Sequence, residues 1–352
     1  MKQYILTISD AGKPSIAEYS TPAPPQPLGG KLRYSGMNLC GGGTGWPNWL
    51  ANGGPVPGQH YLFPNIKETA DLVATGANIF RVLFTWEALQ PSPYSDINAN
   101  VGPYKVYADA LFAVVSQLTS AGATVILDIH GDRDADFAAY FDTKVGGAIK
   151  SGEKVADLLE NLWWQLAKKY ANTPRVQYGI TNEPHDIDPA TWFACANQVV
   201  DGIRRAGASG RIWVPGIDWT GAGSWMTHNA AAWNIVDPLN NTGAQLHLYF
   251  DKDAGGGTTL VESTTIGSER CKDVTAWARS KGLKLFLAEV GVAAGVTGTA
   301  AWKDLYAFLQ DNSDVWDGFT FWAAGPPSWW GSYQFYCGPG SYQLAMIKDA
   351  FR

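Results

Sequence analysis

Short apolar runs alternate with amphipathic stretches along the chain from Lys31 onward. Runs bounded by polar or glycine residues indicate buried strands, and the stretches between them have the apolar spacing of helices. The runs predict eight strands, at Arg33–Asn38, Asn78–Phe84, Thr124–His130, Arg175–Thr181, Arg211–Ile217, Gln245–Tyr249, Lys284–Glu289 and Gly318–Trp322. Helices are predicted at Tyr107–Ala121, Lys154–Tyr170, Thr191–Ala206, Asp273–Lys281, Ala300–Leu309 and Tyr342–Phe351.

This alternation predicts an α/β fold, and eight strand–helix units close naturally into a (β/α)8 TIM barrel. The main alternative is an open doubly wound sheet, which is expected to carry a glycine-rich GxGxxG turn after its first strand. No such turn follows Arg33–Asn38. We therefore predict a single barrel domain over residues 31–352, with long loops at the strand ends.

The first 30 residues differ in character from the rest of the chain. Met1–Asp10 has a short apolar stretch that indicates one strand, and it lacks the small-residue cleavage site of a signal peptide. The proline-rich stretch Thr21–Pro27 is typical of a stiff linker. Residues 1–30 are therefore predicted to form an arm and linker, or a remnant of another module.

Composition narrows the class of partner. The chain has 352 residues, 46% of them hydrophobic, but no apolar run near the length that spans a membrane. A formal net charge of −6 argues against nucleic acid and anionic membranes as partners. The 16 tryptophans and 39 glycines suit a loop-rich enzyme with aromatic binding surfaces.

The four cysteines leave two interpretations open. Cys40, Cys195, Cys271 and Cys337 form no CxxC pair and stand near no histidine at metal-ligand spacing, so we predict no metal site. Their even number permits two disulfides, and a chain of this size can equally bury them as thiols.

Two glutamates stand at the ends of predicted strands. Glu183 belongs to Asn182-Glu183-Pro184, and Glu289 closes the apolar run Leu285–Glu289. In a barrel, the carboxyl ends of the strands meet at one face, where active sites lie. Two carboxyl groups at that face can flank one glycosidic bond and cleave it by acid and nucleophile chemistry.

The remaining six predicted strands also end in polar or aromatic residues. Any single histidine or tryptophan in such a place is explained by ordinary packing, but packing does not explain all eight ends. The strand-end residues are Asn38, Arg81, His130, Asn182, Glu183, Asp218, Trp219, His247, Tyr249, Glu289 and Trp322.

This ordered set resembles the shared active site of glycoside hydrolase family 5, and in particular its endo-β-1,4-glucanase (cellulase) branch. The motifs are Phe80-Arg81-Val82, Asp128-Ile129-His130, Asn182-Glu183-Pro184, His247-Leu248-Tyr249, Glu289 and Trp322. The resemblance covers residues 31 to 352. It implies a retaining hydrolase without a cofactor, in which Glu183 is the acid/base and Glu289 the nucleophile, with carboxyl groups about 5–5.5 Å apart.

Arg81 has the inward-facing parity of its strand, so its charge needs a buried partner. Glu289 is the natural one, and we expect this pairing to keep Glu289 ionised. The alternative is that Arg81 only plugs the barrel. His247 and Tyr249 share one face of their strand because they are two residues apart.

The resemblance implies roles for the remaining residues. Tyr249 would hydrogen-bond to Glu289, and His247 would contact the substrate. Asn182 would bind the 2-hydroxyl of the sugar, and His130 another hydroxyl, unless His130 serves only to orient a neighbour. The sugar would stack on Trp322, and the loop residues Trp219 and Trp329 are candidates for further stacking platforms.

Two loops depart from the family pattern. The third-strand histidine is followed by Gly131-Asp132-Arg133-Asp134-Ala135-Asp136, without the tyrosine and tryptophan of the cellulase branch. An unusual Pro326-Pro327-Ser328-Trp329-Trp330 run follows Trp322. Both loops border the expected sugar site, so the sequence defines the chemistry better than the substrate.

The sequence therefore predicts a retaining endo-β-1,4-glucanase that acts on β-glucan polysaccharide or oligosaccharide. Other β-linked backbones remain open: mannan, mixed-linkage glucan, xyloglucan or an exopolysaccharide. A barrel that binds carbohydrate without catalysis is the alternative of another class. We expect a monomer that works outside the cell, because its substrate is a polymer found there.

Overall fold

The computed structural model describes residues 3–8, 14–19, 31–43, 53–130 and 155–351. Eight parallel strands close into a barrel, in the order β10-β3-β4-β5-β6-β7-β8-β9, and helices alternate with them. The predicted (β/α)8 barrel is confirmed. Its strands are β3 (Tyr34–Leu39), β4 (Ile79–Phe84), β5 (Thr124–Ile129), β6 (Val176–Gly179), β7 (Ile212–Pro215), β8 (Thr242–Tyr249), β9 (Lys284–Gly291) and β10 (Trp316–Ala324).

The helices form the outer layer of the barrel. Their bounds are α1 (Ile66–Val73), α2 (Trp86–Leu89), α3 (Gly102–Ser120), α4 (Val155–Tyr170), α5 (Pro189–Arg205), α6 (Trp225–His228), α7 (Ile266–Lys281), α8 (Val296–Asp311), α9 (Pro327–Trp330) and α10 (Tyr342–Ile347). The sequence analysis did not predict α1, although Asn65 and Glu68 form a reciprocal capping box at its start. None of the described helices is long and apolar enough to cross a membrane.

A two-stranded antiparallel hairpin precedes the barrel, formed by β1 (Gln3–Ile8) and β2 (Pro14–Tyr19). The strand predicted within Met1–Asp10 is confirmed as β1. Strand β2 was not predicted, because it begins at a proline and has few apolar residues. The proline-rich stretch Thr21–Pro27 lies outside the described residues. The division into an arm and a barrel domain stays a prediction.

A small cluster of buried side chains fills the inside of the barrel below the strand ends. Its members come from five strands around the ring, so they can meet only in the interior: Tyr34, Ile79, Ile126, Trp213, Phe286 and Ala288. A much larger cluster packs the outer faces of the strands against the helices. The barrel is therefore a packed core, and the inward positions nearest the strand ends are those left for function.

Strand β9 contains one extra residue relative to β8. Leu246 pairs with Leu287, but the next residue, His247, pairs with Glu289, so Ala288 is the bulged residue. Phe286 and Ala288 both face the interior, and regular alternation would send Glu289 outward. The bulge turns Glu289 inward, which is how bulges re-aim side chains beside active sites.

All four cysteines are buried and free. Burial raises the pKa of each thiol, most directly that of Cys271 and Cys195, which lie in helices of the outer layer. The sequence left open either two disulfides or four buried thiols, and the structure shows four buried thiols.

A buried ion pair connects α5 to the loop before β8. Arg204 donates two hydrogen bonds of 2.9 Å to the carboxylate of Asp237, and both side chains are at most 4% exposed. Burial would raise the pKa of Asp237, but hydrogen bonds and the charge of Arg204 more than offset this and lower it. The pair therefore stabilises the fold as long as both charges remain.

Replacing Asp237 by Asn should lower the free energy of unfolding by about 3 kcal/mol, because it leaves the Arg204 guanidinium buried without its counter-charge. Urea unfolding at neutral pH measures the change. The matched control is Asp314→Asn, since the Asp314–Arg279 pair is about half exposed. There a loss below about 1 kcal/mol is expected. Equal losses in the two variants would contradict the argument.

Candidate active site

Arg81 is the fully buried cation at the centre of the strand-end face. Its Nη1 lies 2.7 Å from Glu289 Oε1, and its Nη2 lies 2.9 Å from Asp128 Oδ2. The same two nitrogens donate hydrogen bonds to the side-chain oxygens of Asn38 and Asn182, at 2.9 and 2.7 Å. One guanidinium thus fixes four side chains from four different strands or strand-end loops.

Burial alone would lower the pKa of Arg81, but the negative charges of Asp128 and Glu289 outweigh it and raise this pKa. Asp128 was not among the site residues predicted from the sequence. The sequence did contain a signal for Asp128, because it is a charged residue within an apolar strand. It also has the same inward parity as Ile126 and His130.

Glu289 is held from a second side by Tyr249, whose hydroxyl donates a 2.7 Å hydrogen bond to Oε2. Burial and the neighbouring Glu289 charge raise the pKa of Tyr249 well above its usual value, so the phenol keeps its proton and remains a donor. The carbonyl of the bulged Ala288 accepts hydrogen bonds from Asn38 Nδ2 at 2.7 Å and from Thr320 Oγ1 at 2.6 Å. These contacts hold the backbone irregularity that directs Glu289 inward.

Glu183 contacts His247. Its Oε1 lies 2.5 Å from His247 Nδ1, and the same nitrogen lies 3.5 Å from Glu289 Oε2. Burial, which outweighs the attraction of Glu289, lowers the pKa of His247 to about 3. The imidazole is therefore neutral near neutral pH, and by choice of tautomer it can donate to a Glu183 carboxylate or accept from a Glu183 carboxylic acid.

The two glutamates are close enough to act on one bond. A carboxylate oxygen of Glu183, a ring nitrogen of His247 and a carboxylate oxygen of Glu289 lie within 4.8 Å of one another. This proximity is compatible with the short separation of a retaining pair. A metal site would need the three side chains to be equally close. Their proximity is already explained by the hydrogen bonds of Glu183 with His247 and of Glu289 with Arg81 and Tyr249.

The other predicted sugar contacts surround this pair. The Asn182 oxygen is bonded to Arg81, which leaves its amide Nδ2 to donate to a hydroxyl. His130 has Nδ1 3.3 Å from Asp128 Oδ2, and its ring stacks on Trp322 with centroids 5.2 Å apart. The Trp322 indole donates a 3.0 Å hydrogen bond to the Tyr333 hydroxyl, which fixes its plane.

Trp219 projects from a left-handed turn beside the glutamates. Asp218, Trp219 and Thr220 all have φ between 53° and 58°, a region that costs side chains other than glycine free energy. Thr220 anchors the turn, because its buried hydroxyl accepts from the Gly216 amide and donates to the Gln245 carbonyl. Trp219 is 49% exposed and stacks on His185 with centroids 4.7 Å apart. His185, to which the sequence assigned no role, thus backs the indole.

Other aromatic residues near the strand ends divide into core and surface. Trp86 and Trp225 are buried, and Trp329 is half-buried on α9. Trp46 and Trp49 lie outside the described residues, as does the loop 131–136 with its three aspartates. The structure therefore leaves Trp219 as the most exposed of the predicted stacking platforms it describes.

Comparison with known proteins points to one family. A model of the cellulase family, glycosyl hydrolase family 5, matches residues 38–325. Endoglucanase gh5-1 of Neurospora crassa is 33% identical over 316 residues, which cover 89% of this chain and 74% of the relative. Endo-β-1,4-glucanase B of Aspergillus niger is 31% identical over 324 residues, which cover 91% of each chain.

Solved structures agree with this. The endo-β-1,4-glucanase Xac0029 of Xanthomonas axonopodis pv. citri superposes with a TM-score of 0.78 at 31% identity, over 91% of this chain and 99% of the other. XacCel5A, solved in complex with cellopentaose, superposes with a TM-score of 0.79 at 29% identity and the same coverage. The chain belongs to the cellulase family, glycosyl hydrolase family 5, and is a glycoside hydrolase, as the strand-end residues predicted.

The neutral state of His247 predicts a pH effect on stability. Its folded pKa lies near 3, below the ordinary value of about 6.5 in the unfolded chain, so the unfolded state binds the extra proton between these values. Stability is therefore lost as pH falls through this window. Between pH 7.5 and 4.5 the wild type should lose about 2 kcal/mol more than His247→Asn in urea unfolding. His228→Asn, at an exposed histidine, should behave as the wild type. Equal losses in wild type and His247→Asn would contradict this account.

The hydrogen bond from Thr320 to the Ala288 carbonyl predicts a kinetic effect. Thr320→Val keeps the shape and removes about 1–2 kcal/mol of hydrogen bonding from the bulge, so kcat should fall roughly 5- to 30-fold with little change in KM. Thr275→Val is the control, since Thr275 is also buried and hydrogen-bonded, but to the Cys271 carbonyl within α7. A kcat loss shared by both variants would show that the effect is general destabilisation.

Proposed function

We propose that the protein is a retaining endo-β-1,4-glucanase in which Glu183 is the acid/base and Glu289 the nucleophile. The observation that carries the proposal is the division of contacts between the two glutamates. Glu289 is paired with the Arg81 cation and accepts from Tyr249, whereas Glu183 contacts the neutral His247. The nucleophile is thus held by a cation and a hydroxyl group, and the acid/base lies against a neutral imidazole that can either accept or donate a hydrogen bond.

The reaction follows from these contacts. Glu183 donates its proton to the leaving glycosidic oxygen while Glu289 Oε attacks the anomeric carbon, which forms a covalent glycosyl-enzyme ester and releases the shortened chain. Glu183, now a carboxylate, takes a proton from water, whose oxygen attacks the same carbon and frees Glu289. Glu183 alternates between acid and carboxylate during these two steps. The neutral His247 can accept a hydrogen bond from the acid and donate one to the carboxylate.

Substrate recognition follows from the surrounding side chains. The Asn182 amide is directed by Arg81, and we assign it to the 2-hydroxyl, a contact that strengthens as the transition state forms. Trp322 serves as the floor under the same sugar, and the exposed Trp219 serves a neighbouring one. The relatives named endo-β-1,4-glucanases favour a β-1,4-glucan, and mannan, mixed-linkage glucan and xyloglucan are the other backbones to be tested.

We further propose that the enzyme acts as a monomer outside the cell, on a polysaccharide or its oligosaccharides. The supporting observations are the cellopentaose complex of XacCel5A and the polymeric nature of the substrate that fungal relatives are named for. Sedimentation of the purified protein tests the first part of this proposal.

Replacing either glutamate by Gln should remove the chemistry without unfolding the barrel. Glu289→Gln loses the nucleophile, and turnover should fall at least about 10³-fold. Glu183→Gln loses proton transfer, and kcat should fall about 10²- to 10⁴-fold. Glu269→Gln, at an exposed helix position, should keep wild-type turnover. Near-wild-type rates in either active-site variant, with an unchanged circular dichroism spectrum, would rule out the assigned roles.

Retention predicts the stereochemistry of the first product. Two displacements at the anomeric carbon leave its configuration unchanged, so proton NMR of the early hydrolysis mixture should show the β-anomer before mutarotation. An initial α-anomer would exclude the covalent intermediate on Glu289.

The substrate is identified by a polysaccharide panel with product sizing. Cellulose derivatives and barley β-glucan should yield oligosaccharides of mixed length from the first minutes, as internal cleavage requires. Release of a single short product would show exo action, and cleavage of mannan alone would change the substrate. Binding without products on any polysaccharide would support the non-catalytic alternative.

A further inference from the structure

A surface pocket of about 490 Å³ lies on the flank of the barrel, between residues 94–98 and helix α4, and we call it the flank pocket. Tyr94, Asp96 and Asn98 line it from the loop, and Asn161, Trp164 and Gln165 line it from the helix. None of the residues assigned to catalysis or sugar binding contributes to it. Its volume falls within the range of small-ligand sites.

The loop that carries Tyr94 is anchored to helix α4. Tyr94 is 46% exposed and sits at φ 59°, a strained conformation for a bulky residue. The next residues are tied to the helix, because Gln165 donates to the Ser95 carbonyl at 3.0 Å and accepts from the Ile97 amide at 2.9 Å. An exposed ring on an anchored loop offers a flat face on which a sugar can stack.

The polar walls of the flank pocket carry charges of both signs. Two lysines stand at the pocket, each near an aromatic ring, and Lys169 also donates to Asn98 Oδ1 at 3.3 Å. The Lys168 ammonium lies 5.0 Å from the Trp164 ring centroid, and that of Lys169 lies 3.9 Å from the Phe112 centroid. The carboxylate of Asp96 lines the same pocket and would repel a polyanion.

Amide groups form part of a hydrogen-bonded network in the wall of the pocket. Asn98 accepts from Lys169 Nζ at 3.3 Å and donates from its Nδ2 to Asp96 Oδ1 at 3.1 Å. The oxygen of Asn161 is oriented by two donors, Gln90 and Gln165, each at 2.9 Å. The walls thus combine ring faces with preoriented amides, which is the usual composition of a carbohydrate site.

We propose that the flank pocket is a second glycan-binding site, which holds a β-glucan chain on the outside of the barrel and away from Glu183 and Glu289. The proposal rests on the proposed function for the identity of the glycan. It implies that the enzyme contacts a polymer at two places and that the second contact matters only for substrates long enough to reach it.

The test uses the full-length Glu289→Gln protein and cellopentaose, so that the ligand is not cleaved. Indole N–H signals are followed by heteronuclear NMR, and Trp164 is assigned from Trp164→Phe. The Trp164 signal should shift saturably as cellopentaose is added. Tyr94→Gly removes the ring and suits the left-handed backbone, and it should weaken this binding about 3- to 10-fold.

Tyr342→Ala is the control, because Tyr342 is an exposed aromatic residue on α10, outside the flank pocket. It should bind as the parent does. In the active enzyme, Tyr94→Gly should slow the hydrolysis of insoluble cellulose and leave that of a soluble aryl β-cellobioside unchanged. A static Trp164 signal while the Trp219 and Trp322 signals move would overturn the flank pocket alone. Static signals at all three tryptophans would instead contradict the proposed function.

Discussion

One buried cation organises the functional end of this barrel. Arg81 is completely enclosed, and a guanidinium in such a place is tolerable only when its charge and donors are matched. Asp128 and Glu289 match the charge, and two asparagine oxygens take further donors. Arg81 therefore fixes both the nucleophile and the Asn182 amide in one geometry, so the binding and the attacking groups cannot shift independently.

The different surroundings of the two glutamates follow from this cation. Arg81 and the protonated Tyr249 occupy both oxygens of Glu289, whereas Glu183 contacts His247, whose burial beside Arg81 keeps it uncharged. A protonated His247 would hold Glu183 as a carboxylate, and the acid step would have no proton. The neutral imidazole is thus as much a requirement of the mechanism as the ion pair on the other side.

The sequence predicted the architecture and most of the site, because both depend on alternation and strand order. Apolar runs gave eight strands with end residues that do meet, and inward parity explained Arg81. The same parity applies to Asp128, which was missed because it lies inside an apolar run and not at its end. Two features could not be predicted in this way, because the backing of Trp219 by His185 depends on a tertiary turn and the pairing of β8 with β9 is a property of two strands at once.

The extra residue in β9 has a consequence for how such a barrel can gain or lose catalysis. Up to Ala288 the side chains of β9 alternate between inside and outside as in an ordinary barrel strand. After Ala288 this alternation is shifted by one residue. The same residues in a regular strand, without the bulge, would keep the apolar alternation and the helices, yet Glu289 would face the outer layer. The direction of the nucleophile thus depends on a backbone irregularity and not on side-chain chemistry alone.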